Sequence, residues 1–436
     1  MALSGIQIYK LLPQTNCKEC GFPTCLAFAM KLAAKQVELS SCPYVSEESK
    51  RQLAESAAPP IRLVALKGAG AEVKAGNEVV MFRHEKTFYN KPGLFIHVKA
   101  SDPDLAAKVA AADAYKVNYV GMDFTVDGFA LVLDSDAAAA IQTVRGATKR
   151  PLILIGDAAA LQAGLSACGG ETPLLYAADA SNADALAELA KGKAALTVKA
   201  DSLEALADLT QKIQAKGVED MVLDLGGKNL SEWLTRSTQV RRLALKANFR
   251  ALGYPVIAFP CDAQDEGIAA AQAIAKYAGF IVLSEFKPEL LYPLLVLREN
   301  IYTDPQKPIQ VQPGVYEINQ PKPESPVLVT TNFSITYFSV ANEVEGSGLP
   351  AWLVVTDAEG MSVLTAWAAG KFDAERIAKA IKGFDVASKV AKKRVVLPGH
   401  VAVLSGELEA ELPDWEIRVG PREAVDLPAF MKQALN

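Results

Sequence analysis

No run of about 18 or more apolar residues occurs anywhere in the chain, the length a membrane helix needs. The N-terminus, MALSGIQIYKLLPQTNC, has no basic segment followed by a long apolar core. A secretory leader and a membrane partner are therefore not expected, and the chain reads as cytoplasmic. Long basic stripes interleaved with aromatics are missing too: Lys+Arg total 45 against Asp+Glu 50, a net charge of -5, which sets nucleic acid aside as a partner. There is no low-complexity tract and no internal repeat beyond an alternation of short apolar runs with Ala-rich segments. Cysteine is rare, six residues in 436, and four of the six fall between positions 17 and 42. That grouping argues for ligands in a reducing compartment rather than a disulfide framework.

Half of the residues are hydrophobic, and 436 residues exceed what one ordinary core serves, so two or three domains are expected. Residues 1–57 form a short cysteine-bearing module that runs out in LAESAAPP, and below about 60 residues such a module needs a staple. Residues 58–92 read as an irregular, partly β linker. From 93 to 318 the runs LFIHVKA, VNYVGMD, PLILIG, AALTVKA, DMVLDLG, PVIAFP, FIVLSEF and PIQVQPG alternate with helical spacing. Apolar strands each followed by a helix mean a parallel sheet, and about eight such units predict a closed (β/α)₈ barrel. NQPKPESP, at 319–326, reads as a second linker. Residues 327–436 then repeat strand, loop and helix about four times, which predicts a small doubly wound α/β domain with ligands at the carboxyl ends of its strands.

The four grouped thiols are Cys17, Cys20, Cys25 and Cys42, spaced C-x₂-C-x₄-C-x₁₆-C with Pro43 after the last. Four soft sulfurs suit either Zn²⁺ or a [4Fe–4S] cluster. Three clustered cysteines with a remote Cys-Pro are closer to ferredoxin-type ligation than to paired C-x₂-C zinc hairpins, and a structural zinc knot is the alternative. Gly21 and Pro23 bend the loop, and Thr24 is placed to cap a following helix whose Ala27, Ala29, Ala33 and Ala34 allow close packing. Cys168 and Cys261 read as small buried hydrophobes.

The stretch LLPQTNCKECGFPTCLAFAMKLA…CP resembles the iron–sulfur domain of the large subunits of corrinoid/iron–sulfur proteins. The three-zone layout and the segment TTNFSITYFSV…GSGLP…TAWAAGKF…LPGHVAVLSGELE are similar to that family along the whole chain. The resemblance implies a methyl carrier of the anaerobic acetyl-CoA pathway. A partner methyltransferase passes the methyl group of methyltetrahydrofolate to Co(I), methyl-Co(III) delivers it to acetyl-CoA synthase/CO dehydrogenase, and the [4Fe–4S] cluster returns an electron when inactive Co(II) forms. It also implies a heterodimer with a small subunit, a reductive activator or ferredoxin, and a barrel that serves as docking scaffold.

A corrinoid is a broad, mostly apolar disc with amide side chains and a nucleotide tail, so it wants loop amides, hydroxyls and glycines that let it approach. The C-terminal domain offers Thr331, Asn332, Phe333, Thr336 and Val340 after its first strand. Gly346, Ser347 and Gly348 follow, then Ala369, Gly370, Lys371, Phe372 and Asp373, then Gly399, His400, Gly420 and Pro421. A helix starting at Asp373 would turn free N–H groups towards a tail phosphate or amide oxygen. The Asp-x-His-x-x-Gly motif by which many methyl-carrying corrinoid proteins ligate cobalt is absent. His84 and His97 lie outside this domain, and His400 lacks the flanking Asp and Gly. Cobalt without a protein histidine is what the resemblance implies, and losing an axial donor makes Co(I) easier to reach.

At the barrel's strand ends stand Asp123, Asp157, Lys199, Asp224, Asn229, Cys261 and Glu285, with no paired acid and base. The barrel resembles pterin-binding ones, so a methyltransferase holding the folate itself is one alternative, and a corrinoid-free electron-transfer protein is another. One cobalt serving three encounters requires motion, with hinges expected at 52–60 and 319–326.

Overall fold

The computed structural model describes residues 4–33, 36–50, 53, 59–86, 88, 90–227, 229–303 and 309–435. Two compact units emerge, Met1–Tyr115 with Thr125–Tyr302, and Lys116–Phe124 with Thr303–Asn436. Most of the expected 52–60 hinge falls outside the described residues.

In the first unit, β1 (Val64–Lys67) and β2 (Glu72–Ala75) form an antiparallel hairpin. Eight parallel strands close into a barrel: β3 (Gly93–Lys99), β6 (Gly128–Val132), β7 (Leu152–Ile155), β8 (Leu174–Ala178), β9 (Ala195–Lys199), β10 (Met221–Asp224), β11 (Val256–Ala258) and β12 (Phe280–Leu283), with β12 pairing back onto β3. Their residues are buried on both faces, as runs such as LILI and FIVL require. Val64, Leu66 and Ala75 of the hairpin pack with Phe95, Ile153, Val222 and Phe280 in the barrel's interior. Within the expected 58–92 linker, the 64–75 hairpin is thus part of the barrel core and not a spacer.

The barrel has the expected number of strands, but two of them are not the expected ones. VNYVGMD is instead β4 (Val117–Tyr119) and β5 (Met122–Phe124), an antiparallel hairpin turned at Val120 and Gly121, both at positive φ. It belongs to the second unit: Val120 joins that unit's core with Val311, Leu328 and Val344, and its carbonyl accepts from Gln312 N at 3.2 Å. The barrel strand in its place is the GFALV run of β6. PIQVQPG is also not a barrel strand; the true fourth strand is β8, LLYAA, whose Tyr176 and Ala177 are only half-buried. Asp123 therefore stands on β5 rather than at the end of a barrel strand, and pairs with Lys116 at 2.6 Å.

The second unit is a five-stranded sheet in the order β13-β15-β14-β16-β17, with β13 (Gly314–Ile318), β14 (Val327–Thr331), β15 (Ala351–Thr356), β16 (Arg394–Leu397) and β17 (Glu416–Val419). All pairs are parallel except β13 with β15. Helices Ser334–Ser347 and Leu427–Ala434 cover one face through Ala341, Val344, Leu427 and Met431. Helices Ala374–Gly383 and Ser405–Glu411 cover the other through Ile377, Ile381 and Leu408. The expected hinge at 319–326 is a tied turn inside this unit. Asn319 Nδ2 donates to three carbonyls, those of Val344 (3.0 Å), Glu345 (3.2 Å) and Leu349 (2.9 Å), and Lys322 O accepts from Trp352 Nε1 at 3.2 Å.

Candidate functional sites: a thiol module and a cleft at the sheet edge

The cysteine module is built on helices Gly5–Leu11 and Cys25–Ala33. Thr24 caps the second, accepting from Ala27 N at 3.1 Å, and Ala29 is fully buried within it, while Ala34 lies outside the described residues. The loop before it carries left-handed backbone at Gln14, Asn16, Lys18 and Gly21, the kind of curl that turns N–H groups towards anionic sulfur. Asn16 works both ways: its Oδ1 accepts from Cys25 N at 2.8 Å and its N–H donates to Cys25 Sγ at 3.4 Å. Cys20, Cys25 and Cys42 share a small core with Ile8, Leu12, Phe28 and Val45, Cys17 is exposed, and all four thiols are free. Tyr44 donates to Glu19 at 2.8 Å; that carboxylate, with Cys17 and Cys42 among its neighbours, raises the Tyr44 pKa. Among the described residues no three His, Cys, Asp or Glu gather as a single-ion site. Four unpaired thiols, one already receiving a backbone N–H, fit the donor set of an iron–sulfur cluster.

In the C-terminal sheet the chain leaves β14 for one face and β16 for the other, and this divergence opens a crevice at the carboxyl edge. A cavity of about 560 Å³ lies there. Its floor is Leu328, Thr330, Val396 and Leu397; one wall is the helix Ser334–Ser347 with Ile335, Thr336, Ser339, Val340 and Glu343; the other is formed by loops carrying Pro398, His400, Gly420, Pro421, Arg422 and Val425. The two loops are stitched by Gly399 N to Pro421 O (2.9 Å) and Gly420 N to Leu397 O (2.8 Å). A Cβ on Gly399 would sit 2.6 Å from Gly420 O, so only glycine fits. The stitch brings His400 Nε2 to 3.8 Å from Glu423 Oε1. Large apolar side chains stand in solvent at the rim, with Ile335 65% and Val425 66% exposed. An apolar rim over a floor with polar atoms is what a flat, amide-edged group requires.

Of the residues picked from sequence, Thr336, Val340, His400, Gly420 and Pro421 line this cavity. Asn332 lies beside it as a clamp: its Oδ1 accepts from Ala358 N (2.9 Å) and Gly360 N (3.0 Å). Thr331 is fully buried at the end of β14, and Phe333 is bridged to Gln310. Gly346, Ser347 and Gly348 end the helix that began at the cleft, so they lie at the opposite edge of the sheet, where Ser347 Oγ donates to Val344 O at 2.7 Å and Gly348 takes φ 70°. Ala369 and Gly370 close a separate helix end, Lys371 pairs with Glu359 at 2.6 Å and Phe372 is core. Asp373 caps its own helix, accepting from Arg376 N at 2.8 Å, so a carboxylate already occupies the place where a tail phosphate was expected. Sequence reading missed Ile335, Ser339, Glu343, Arg422 and Val425. The helical spacing of 335, 339 and 343 was the available signal.

At the barrel mouth, Tyr176 Oη donates to Asp224 Oδ2 at 2.7 Å, Gly226 N donates to Asp224 Oδ1 at 2.8 Å, and Lys199 Nζ stands 3.8 Å from the carboxylate. Burial and then Asp224 push the Tyr176 pKa far up, and burial with Asp262 pushes Cys261 to about 12. Burial lowers the pKa of His97. Asp157 and Asn229 are helix caps, accepting from Ala160 N (2.8 Å) and Glu232 N (3.0 Å). Glu285 is exposed and pairs with Lys287 at 2.5 Å.

A protein-family model described as CO dehydrogenase/acetyl-CoA synthase delta subunit matches residues 64–431, and a second, for an Fe-S cluster segment, matches residues 12–44. The corrinoid/iron–sulfur protein large subunit of Moorella thermoacetica is 44% identical over 445 residues, covering 100% of both chains. The acetyl-CoA decarbonylase/synthase complex subunit gamma 1 of Methanosarcina mazei is 35% identical over 99% of this chain and 98% of its own. Dihydropteroate synthase of Thermus thermophilus covers 55% of this chain and 100% of its own at 15% identity and a TM-score of 0.37, too loose to bear on function. The delta-subunit model begins after the cysteine module, whereas the large and gamma subunits match from end to end and the module carries its own Fe-S match. The chain belongs to the family of corrinoid/iron–sulfur protein large subunits and their acetyl-CoA decarbonylase/synthase gamma counterparts.

Proposed function

We propose that this protein is the methyl carrier of the acetyl-CoA pathway, with a corrinoid seated in the C-terminal cleft and a [4Fe–4S] cluster on Cys17, Cys20, Cys25 and Cys42. The observation that carries the reading is the crevice at the sheet's switch point, polar at its floor and apolar at its rim, in a chain that also bears a four-thiol module. When bound, the corrinoid supplies a cobalt that takes up and hands on a methyl group, and the cluster supplies the single electron that restores it. The chain's own residues do the rest. Ile335, Leu364 and Val425, exposed before binding, cover the ring's apolar face. Thr336 and Ser339 offer hydroxyls to its amides from the helix wall, and Gly420 lets the ring edge approach the loop. His400 belongs to the wall, leaned towards Glu423, and would hold the edge of the group rather than its cobalt. The Asn16 N–H on Cys25 Sγ stabilises thiolate charge in the module.

The partners follow from this role: a small subunit as heterodimer mate, acetyl-CoA synthase/CO dehydrogenase as acceptor, a methyltetrahydrofolate:corrinoid methyltransferase as donor, and a ferredoxin or reductive activator as electron source. The names of the archaeal relatives, subunits of an acetyl-CoA decarbonylase/synthase complex, support the acceptor. The barrel serves as scaffold, since its mouth residues pair with one another or cap helices. Among the described residues no helix is long and apolar enough to cross a membrane.

Anaerobically purified protein should contain cobalt and iron at about one to four and show a Co(II) corrinoid signal by electron paramagnetic resonance. Cobalt-free protein with full methyl-transfer activity would remove the reading, and zinc in place of iron would remove its redox half.

A further inference from the structure

The helix Cys25–Ala33 of the cysteine module is capped from two places. Thr24 Oγ1 accepts from Ala27 N at 3.1 Å, a local cap that leaves Cys25 N without a partner inside the helix. That N–H is taken from nine residues upstream, by Asn16 Oδ1 at 2.8 Å. The return bond joins the same two residues, since Asn16 N donates to Cys25 Sγ at 3.4 Å. Asn16 and Cys25 thus close a small ring in which the side-chain bond fixes the backbone one. Asn16 holds this geometry at φ 49°, left-handed backbone that asparagine tolerates better than most residues. Cys25 is buried in the module's core with Leu12 and Phe28, so its sulfur is largely screened from water, where a hydrogen bond counts for more.

An iron–sulfur cluster gains one negative charge when it is reduced, and an N–H aimed at a ligand sulfur stabilises the reduced form more than the oxidised one. A bond of that kind raises the potential only while it is held in place, and a loop N–H exposed to water is otherwise free to turn away. We infer that Asn16 is a positioning residue for the [4Fe–4S] cluster: its carboxamide keeps its own backbone N–H on Cys25 Sγ, and this bond raises the potential at which the module accepts an electron. The inference rests on the four thiols holding that cluster.

The test uses the full chain, purified anaerobically, and reads iron content together with the midpoint potential of the cluster in a redox titration followed by electron paramagnetic resonance. Asn16→Gly keeps the left-handed backbone and loses the carboxamide; it should lower the reduction equilibrium constant about tenfold, a fall of about 59 mV for one electron. Gln14→Gly, at φ 59° in the same loop and with its side chain bonded to Tyr9 O at 3.3 Å, should keep the wild-type potential. Should Asn16→Gly fail to load iron, the bond can be read in wild type. Asn16 is the only asparagine among residues 1–57, so protein made with asparagine carrying nitrogen-15 in its backbone should show a nitrogen-15 hyperfine coupling in the reduced cluster. A variant that loses iron while its loaded fraction keeps the wild-type potential would make Asn16 merely structural and overturn the inference. An unchanged potential at full iron, an equal shift in Gln14→Gly, or absence of the coupling would overturn it as well. Zinc in wild type, or no cluster signal at all, would instead remove the [4Fe–4S] reading itself.

Discussion

The barrel and the C-terminal sheet are made of the same parts, parallel strands followed by helices, and both present polar residues at their carboxyl edges, yet the two edges are in different states. At the barrel mouth Tyr176, Asp224, Gly226 and Lys199 pair with each other, and Asp157 and Asn229 cap helices. At the open sheet a helix starts uncapped, Thr330 keeps an unpaired hydroxyl, and Ile335 and Val425 stand in water. Closing a sheet lets neighbouring strands satisfy one another around the ring. Opening it at a switch point separates them and leaves valence for a ligand.

The comparison breaks most completely at Gly399. Gly399→Val would force the stitched loops apart, costing roughly 1–3 kcal/mol of C-terminal stability and abolishing corrinoid retention. Gly346→Ala, with nothing within 4 Å of its Cβ, should leave retention unchanged. Equal retention by both variants would show that the stitch does not shape the site.

Alkaline pH should separate the two units next. Burial holds the thiols of Cys168 at about 11 and Cys261 at about 12 in the barrel, against an ordinary 9.0. The folded barrel therefore keeps protons that its unfolded chain releases, so this stability is intact below pH 9 and falls as pH rises through 9 to 12. In the C-terminal unit Tyr316 is pushed to about 12 from 10.0, so its loss begins a unit later. Unfolding followed by the barrel's Trp233 should weaken between pH 9 and 10 while Trp352, Trp367 and Trp415 report little change, and Cys168→Ala with Cys261→Ala should flatten the difference. An early weakening of the barrel between pH 9 and 10 that persists in the double variant would refute this origin.

The smallest effect is expected at Lys199. It is 53% exposed and 3.8 Å from Asp224, so Lys199→Met should change stability by less than about 1 kcal/mol and leave corrinoid binding intact. A large loss of methyl transfer in that variant would mean the barrel mouth has a duty of its own.

Much of this was legible in the residues, because strands buried on both faces advertise themselves as continuous apolar runs and clustered thiols are rare. What failed did so for local reasons. VNYVGMD has strand composition, but a turn at two positive-φ residues folds it back on itself. PIQVQPG precedes β13, whose antiparallel pairing with β15 no periodicity reports. The three prolines of NQPKPESP suggested a spacer, whereas Asn319 ties that turn by three donated bonds. At the cleft, glycines and hydroxyls at loop positions were visible, but composition does not say which edge of a sheet a loop occupies, so Gly346, Ser347 and Gly348 were drawn in. The apolar helix wall went unnoticed because Ile335 reads as core until its exposure is known.

The β4–β5 hairpin gives the second unit a split inheritance. Its core is written in two places along the gene, residues 116–124 and 303–436, with seven of the eight barrel strands between them. Such a domain cannot be shuffled into another protein as one contiguous cassette: a copy starting after Tyr302 would leave behind Val120, which packs with Val311, Leu328 and Val344. Barrel and C-terminal unit are therefore bound to duplicate, recombine and diverge together.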